Sequence, residues 1–235
     1  MQGVQTLNSP SGGPLGSLLW LIDLAHEPSA SDWAACDAEE HSRAQRFRFE
    51  QHGRRFRAAH AAMRQIMGVQ LGVHADALRW TTGSHGKPHL LGHPGWYFNL
   101  SHSGDWALLG MSASPIGVDI ECCRAMRDMA GIVRHQFSTS EQASYLQTPE
   151  ADQADWFYRV WSRKEACLKA LGSGLSVPSR SFDVDGSDAS VDAAVPINGE
   201  LCHMVVHGVP LPPNVDAKAA LALVRPDCIH LTHAF

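Results

Sequence analysis

Three carboxylates and one lysine are spaced so that they could do chemistry together. In "IGVDIE", Ile116, Val118 and Ile120 alternate with Gly117, Asp119 and Glu121. A strand with that alternation carries both carboxylates on one face, about 6.6 Å apart along its axis. Two such side chains can converge on one cation, and hard oxygen ligands with open positions are what Mg²⁺ uses when it also binds phosphates. A third carboxylate has to come from elsewhere, and Glu165 in "VWSRKEACLKALGSGLS" offers it. Taken singly, each motif has a plainer reading. Asp119 and Glu121 fit the wet face of an antiparallel strand, and Glu165 with Lys169 fits an ordinary i,i+4 pair on a half-buried helix.

Other stretches add candidates and remove one. In "FNLSHS", Ser101 and His102 are strand neighbours that point to opposite faces, so they cannot form a nucleophile and base pair, and no G-x-S-x-G elbow is present. His102 shares a face with Phe98 and Leu100, which fits either a hydrogen-bonded core histidine or a partly buried phosphate ligand. "SHGKPHL" mounts Lys87 in a stiff Gly-Pro turn, where a solvated lysine is the plainer reading. "LGSGLS" lacks the Gly-Lys-Ser/Thr of a P-loop and reads as a helix C-cap. Residues 43 to 64 hold Arg43, Arg46, Arg48, Arg54, Arg55, Arg57 and Arg64 against one acid, Glu50, a local anion-binding candidate.

The elements that must position these residues follow from periodicity. The Gly/Pro/Ser-rich stretch 1–16 is expected to be a disordered tail. "LLWLIDL" (18–24) reads as a buried strand, and 37–66 as helix, broken near Gly53. "WYFNLSHSGDWALLGMS" is a hairpin around Gly104-Asp105. A strand at 115–121 precedes a poorly patterned stretch, 122–153, and a long helix, 155–171. "SFDV", "CHMVVHGV" and "ALALVRP" read as later strands, and 185–195 as a loop. The order implies an α+β fold of two similar halves, 17–114 and 115–235, meeting near Ser114-Pro115.

Composition excludes several classes. The chain has 235 residues, 44% hydrophobic and 18% charged, with a formal net charge of -5, which argues against a general nucleic-acid coat. No apolar run approaches the roughly 20 residues that span a bilayer. The six cysteines form no C-x-x-C pair and the fourteen histidines no zinc spacing, so a reduced cytoplasm is the expected setting.

Together and in order, "GKP", "FNLSHSG", "IGVDIE" and "FYRVWSRKEACLKALGSGLSVP" resemble the 4'-phosphopantetheinyl transferases of the surfactin-synthetase-activating type, over most of residues 18–226. The resemblance implies a monomeric pseudo-dimer with coenzyme A between its halves. It also implies transfer of phosphopantetheine to a serine of an apo acyl or peptidyl carrier protein, leaving adenosine 3',5'-bisphosphate. Asp119, Glu121 and Glu165 then correspond to Mg²⁺ ligands, with Mn²⁺ as an alternative. Lys169 corresponds to a pyrophosphate contact, and Glu165 also to the acceptor of the serine proton. Arg55 and His102 match ligands of the 3'-phosphate, Lys87 and Ser101 line the nucleotide pocket, and Arg43 matches a further basic contact. Glu40 departs from the pattern, standing where the family often has a lysine. The segment "CCRAMRDMAGIVRHQF" (122–137) matches the carrier-docking region. There Arg124, Arg127 and Arg134, interleaved with Met126 and Met129, would suit an acidic, apolar-flanked partner, or else form a short helix with its arginines in solvent.

Overall fold

A computed structural model describes residues 3–9, 16–83, 85–174, 176–187 and 189–233. The apolar run at 18–24 becomes β2 (Ser17–Asp23), with Leu19 to Ile22 all buried. Both edges of β2 are paired. One neighbour is β6, described below. The other is β1 (Val4–Leu7), which pairs antiparallel with Leu19 to Ile22. This corrects the expectation of a disordered tail over Val4–Leu7, because strand pairing to an otherwise open edge outweighs the composition of the segment. Residues 1, 2 and 10–15 of that expected tail lie outside the described residues.

Three helices follow: α1 (Ala30–Ala34), α2 (Ala38–Gln45) and α3 (Glu50–Leu71). The break falls at 46–49, and Gly53 lies inside α3, contrary to expectation. A small hairpin, β3 (Trp80–Thr82) and β4 (Pro88–Leu90), precedes the expected hairpin β5 (Tyr97–Ser103) and β6 (Trp106–Ser112). The first sheet runs β1-β2-β6-β5. The apolar stripe of α3, Ala59, Met63, Ile66 and Met67, packs against Trp20, Ile22, Phe98 and Leu109 on one face of it.

The second half repeats this connectivity. Strand β7 (Ile116–Cys122) leads through α4 (Met129–Gln136) and α5 (Thr139–Gln147) to the long helix α6 (Gln153–Leu171). Strands β8 (Val191–Ile197), β9 (Glu200–Gly208) and β10 (Ala217–Val224) complete a sheet of order β7-β10-β9-β8. In each half a strand and a long helix precede a hairpin whose last strand pairs with the first. The fold is α+β in two similar halves. The sheets share a core in which Leu19, Leu21 and Leu108 meet Ile116, Val118, Ile120 and Leu221.

Two expectations fail in this half. "SFDV" is no strand but a 3-10 turn (Ser179–Ser181) followed by irregular chain. Its polar backbone groups are met by buried side chains instead of a ladder. The Lys164 ammonium bonds the carbonyls of Ser179 and Phe182, and Glu141 accepts the Val184 N–H. The expected loop at 185–195 contains the start of β8, whose Ala193, Val195 and Ile197 face the core in strict alternation. Among the described residues no helix is long and apolar enough to cross a membrane.

Candidate active site at the seam between the sheets

The two sheets meet along β5 and β7 through side chains. Asn99 Oδ1, Ser101 Oγ and Ser103 Oγ accept in turn from the N–H groups of Val118, Ile120 and Cys122. Every second residue of "FNLSHS" thus does for β7 what a neighbouring strand's carbonyls would do. The spacing, period two on both strands, is visible in the sequence, but only once the two strands are known to be adjacent.

The acidic residues lie on this seam. Asp119 is buried, at 2% exposure. Its Oδ1 accepts from Ser101 Oγ at 2.9 Å and from Lys169 Nζ at 2.5 Å, while Oδ2 is buried with no partner. Glu121 accepts from Ser103 Oγ at 2.9 Å and from the Trp161 indole N–H at 3.3 Å. Helix α6 reaches this strand because Gly117 has no side chain: a Cβ there would stand 2.0 Å from the Ala166 carbonyl oxygen. That contact sets Glu165 and Lys169, one turn apart, over β7. Burial raises the pKa of Glu165, Asp119 and Glu121 raise it further, and Lys169 opposes them. Glu121 is likewise raised, first by burial and then by Asp119. The three carboxylates therefore share one field, yet among the described residues no three acidic, His or Cys side chains are gathered closely enough to hold a metal ion.

The basic residues stand at the end of the β5–β6 hairpin. Arg55 Nε and Arg54 Nη2 both donate to Asp105 Oδ1, at 2.9 and 3.1 Å. His102 is exposed, which removes the core-histidine reading. Crowding of its ring by surrounding protein pushes its pKa down, and Lys169, His60 and Arg55, all basic, push it further. Arg43 lies over the Phe56 ring, 5.2 Å from its centroid. Glu40 is a buried structural anion that accepts from Arg64 Nε at 2.6 Å and contacts His60 Nδ1 at 2.7 Å. The departure at this position thus serves the packing of α2 on α3.

Lys87 is turned inward. Its ammonium bonds the carbonyls of Ala170 (2.5 Å) and Ile116 (3.2 Å), and burial pulls its pKa down to about 7. Its side chain helps line a cavity of about 380 Å³ with His85, Leu100, Glu165 and Lys169. A cavity of about 340 Å³ between β2 and α3 contains none of the candidate residues.

Sequence reasoning missed the split between the neighbours Lys164 and Glu165. Lys164 is fully buried and pairs with Glu141 Oε2 at 2.8 Å, so it holds α5 and not the cleft. The signal was there: Val160, Lys164, Cys167 and Leu171 share the i, i+4, i+7, i+11 face of α6. In the 122–137 segment Val133 is buried and Met126, Met129 and Ile132 pack against the core, while Arg124, Arg127 and Arg134 are exposed.

Comparison with known proteins gives the class. Residues 25–114 match the family model "4'-phosphopantetheinyl transferase, N-terminal", and residues 115–221 match the model of the 4'-phosphopantetheinyl transferase superfamily. The chain is 31% identical to 4'-phosphopantetheinyl transferase ffp of Bacillus subtilis, over 81% of this chain and 83% of that one. It is 28% identical to 4'-phosphopantetheinyl transferase Sfp of Bacillus subtilis (strain 168), over 87% and 89%. To HetI of Nostoc, also named a 4'-phosphopantetheinyl transferase, it is 36% identical over 67% and 69%. The chain belongs to the 4'-phosphopantetheinyl transferase superfamily, and is by class a holo-carrier-protein synthase.

Proposed function

We propose that this enzyme moves the 4'-phosphopantetheine group of coenzyme A to a serine hydroxyl of an apo acyl or peptidyl carrier, releasing adenosine 3',5'-bisphosphate. The observation that carries the reading is Asp119: a buried carboxylate with one oxygen held by Lys169 and Ser101 and the other unpartnered. It lies on the seam under α6, close enough to Glu121 and Glu165 for its charge to act on both. Buried, mutually repelling carboxylates fit a hard divalent cation. Asp119, Glu121 and Glu165 would hold Mg²⁺, or Mn²⁺ in its place, and when bound it neutralises charge on the pyrophosphate.

The chain's own residues supply the rest. In this reading the halves 17–114 and 115–235 form the two walls of the coenzyme A cleft. Arg55 and His102, with Arg43 behind them, bind the 3'-phosphate, and Ser101 borders the nucleotide beside the turn that carries Lys87, whose ammonium is engaged by the Ala170 and Ile116 carbonyls. Lys169 takes a pyrophosphate oxygen. Glu165 accepts the serine proton as the serine oxygen bonds to the pantetheine phosphorus. The bond from that phosphorus to the bridging oxygen breaks, and the leaving bisphosphate stays held by the basic cluster. Positioning and charge stabilisation do the work, with no covalent enzyme intermediate. All six cysteines are free thiols, which suits a monomer working in the reducing cytoplasm. Following adenosine bisphosphate release from coenzyme A with and without an apo-carrier tests the reading. Release that depends on carrier supports it, and equal release without carrier would make the protein a hydrolase.

Two further outcomes are expected. Arg55→Ala raises KM for coenzyme A about tenfold or more, since a charge-assisted hydrogen bond contributes roughly 1.5–3 kcal/mol. The preference for coenzyme A over 3'-dephospho-coenzyme A narrows in parallel, and an equal loss with both substrates would place Arg55 elsewhere. For the carrier, the exposed arginines of the 122–137 segment form the docking face. Arg127→Glu raises KM for carrier through slower, salt-dependent association while KM for coenzyme A stays constant. An unchanged carrier KM in steady-state assays across salt concentrations would leave the segment structural.

A further inference from the structure

Lys87 belongs to the turn between β3 and β4, in the first half, yet its ammonium ends on two backbone carbonyls of the second. One is Ala170 O, in the last turn of α6, where a helix leaves carbonyls without internal partners and a cation is favoured by the helix dipole. The other is Ile116 O, the first residue of β7. The stem of Lys87 runs across Gly172, which caps α6 in the left-handed region at φ 73°. A Cβ on Gly172 would stand 2.8 Å from Lys87 Cδ. Helix α6 carries Glu165 and Lys169, and β7 carries Asp119 and Glu121. One ammonium therefore joins the two elements whose separation sets the geometry of the site.

At Gly117 the backbone of α6 lies directly on β7. The Lys169 to Asp119 pair draws the elements together at one point. At the end of the helix the corresponding contact comes from Lys87.

We infer that Lys87 is a positioning residue whose ammonium clasps the C-terminus of α6 to the start of β7, fixing the distance between the helix and strand carboxylates, and that it does not contribute to coenzyme A affinity. The clasp also ties the wall of the 380 Å³ cavity to the helix, so the first half helps to set a geometry built from residues of the second. The inference rests on the transfer reading above only for its kinetic arm.

Lys87→Met keeps the stem over Gly172 and removes the ammonium. Its kcat at saturating coenzyme A and carrier should fall about 10- to 100-fold, the scale of a misplacement near 1 Å, with KM for coenzyme A within about twofold of the parent. Hydrogen exchange on the ligand-free protein should show faster exchange at the amides of Lys169 to Gly172, with the rest of α6 unchanged. Lys87→Leu, which also removes the ammonium, should give the same pattern and stands in if Lys87→Met does not fold. A raised KM for coenzyme A with kcat and exchange unchanged would make Lys87 a nucleotide contact and overturn the inference. If the parent protein transfers nothing to any carrier, the functional reading fails, and the exchange measurement still decides the clasp.

Discussion

Asp119→Ala should abolish transfer, by about a thousandfold or more, while the protein stays folded. The loss follows from its position: it removes the buried oxygen that has no protein partner and releases Lys169, which the Asp119 carboxylate holds at 2.5 Å. Each factor of ten in rate corresponds to about 1.4 kcal/mol of transition-state stabilisation, and uncompensated pyrophosphate charge at the reacting centre is worth several times that. The fold should survive, since removing Asp119 relieves its repulsion of Glu121 and Glu165 while it costs the contacts to Lys169 and Ser101. Turnover assays beside thermal melts check both halves of the statement. Near-normal turnover would remove Asp119 from the site, and an unfolded variant would make it a structural carboxylate.

The largest stability effect is expected at Arg64→Met. Arg64 is completely buried. It donates to Glu40 and Asp37 at 2.6 Å each and to the carbonyls of Ala75 and Leu78 at 3.1 Å. Its guanidinium also lies 4.2 Å from the centroid of the Trp80 ring. Removing one partner of a buried ion pair costs about 3–5 kcal/mol, because the other is left charged and uncompensated. Burial works to raise the pKa of Glu40, but the contacts with His60 and the Asp37 N–H and the charges of His60 and Arg64 outweigh it and hold it down. A carboxylate lowered in the folded state contributes stability above its unfolded pKa and loses it as pH falls through the folded one. The gap between parent and variant should therefore be widest near neutral pH and narrow in acid. Denaturant titrations across that range measure it, and a gap below about 1 kcal/mol at neutral pH would contradict the account.

Arg64 also shows why the site was only partly legible in the sequence. Seven arginines against one acid between 43 and 64 looked like a single anion-binding patch. Arg64 is instead consumed by the packing of α2 on α3, and Arg57 by Glu27 and Glu50. Their partners lie up to thirty residues away, beyond the reach of a local charge count. Elements with a clean period were readable: β2, the β5–β6 hairpin, β7 and α6 declare themselves by alternation or helical spacing. Strand β8 and helix α5 did not, because short segments rich in Asp, Ala and Ser take their structure from a neighbour or from end caps. Examples are the Ser138 and Glu141 capping box of α5 and the pairing of β8 with β9. Asp119, Glu121, Glu165 and Lys169 were visible as residue types at suggestive spacings. What could not be read was the seam that brings them together, since it depends on side chains of β5 bonding the backbone of β7.

The central claim is tested most directly by mass spectrometry of apo acyl and peptidyl carriers incubated with coenzyme A, Mg²⁺ and this protein. The account predicts that a carrier gains the mass of one phosphopantetheine on a single serine, with one adenosine 3',5'-bisphosphate released per adduct, and that a serine-to-alanine carrier gains nothing. Release of the bisphosphate with every carrier left unmodified would contradict it.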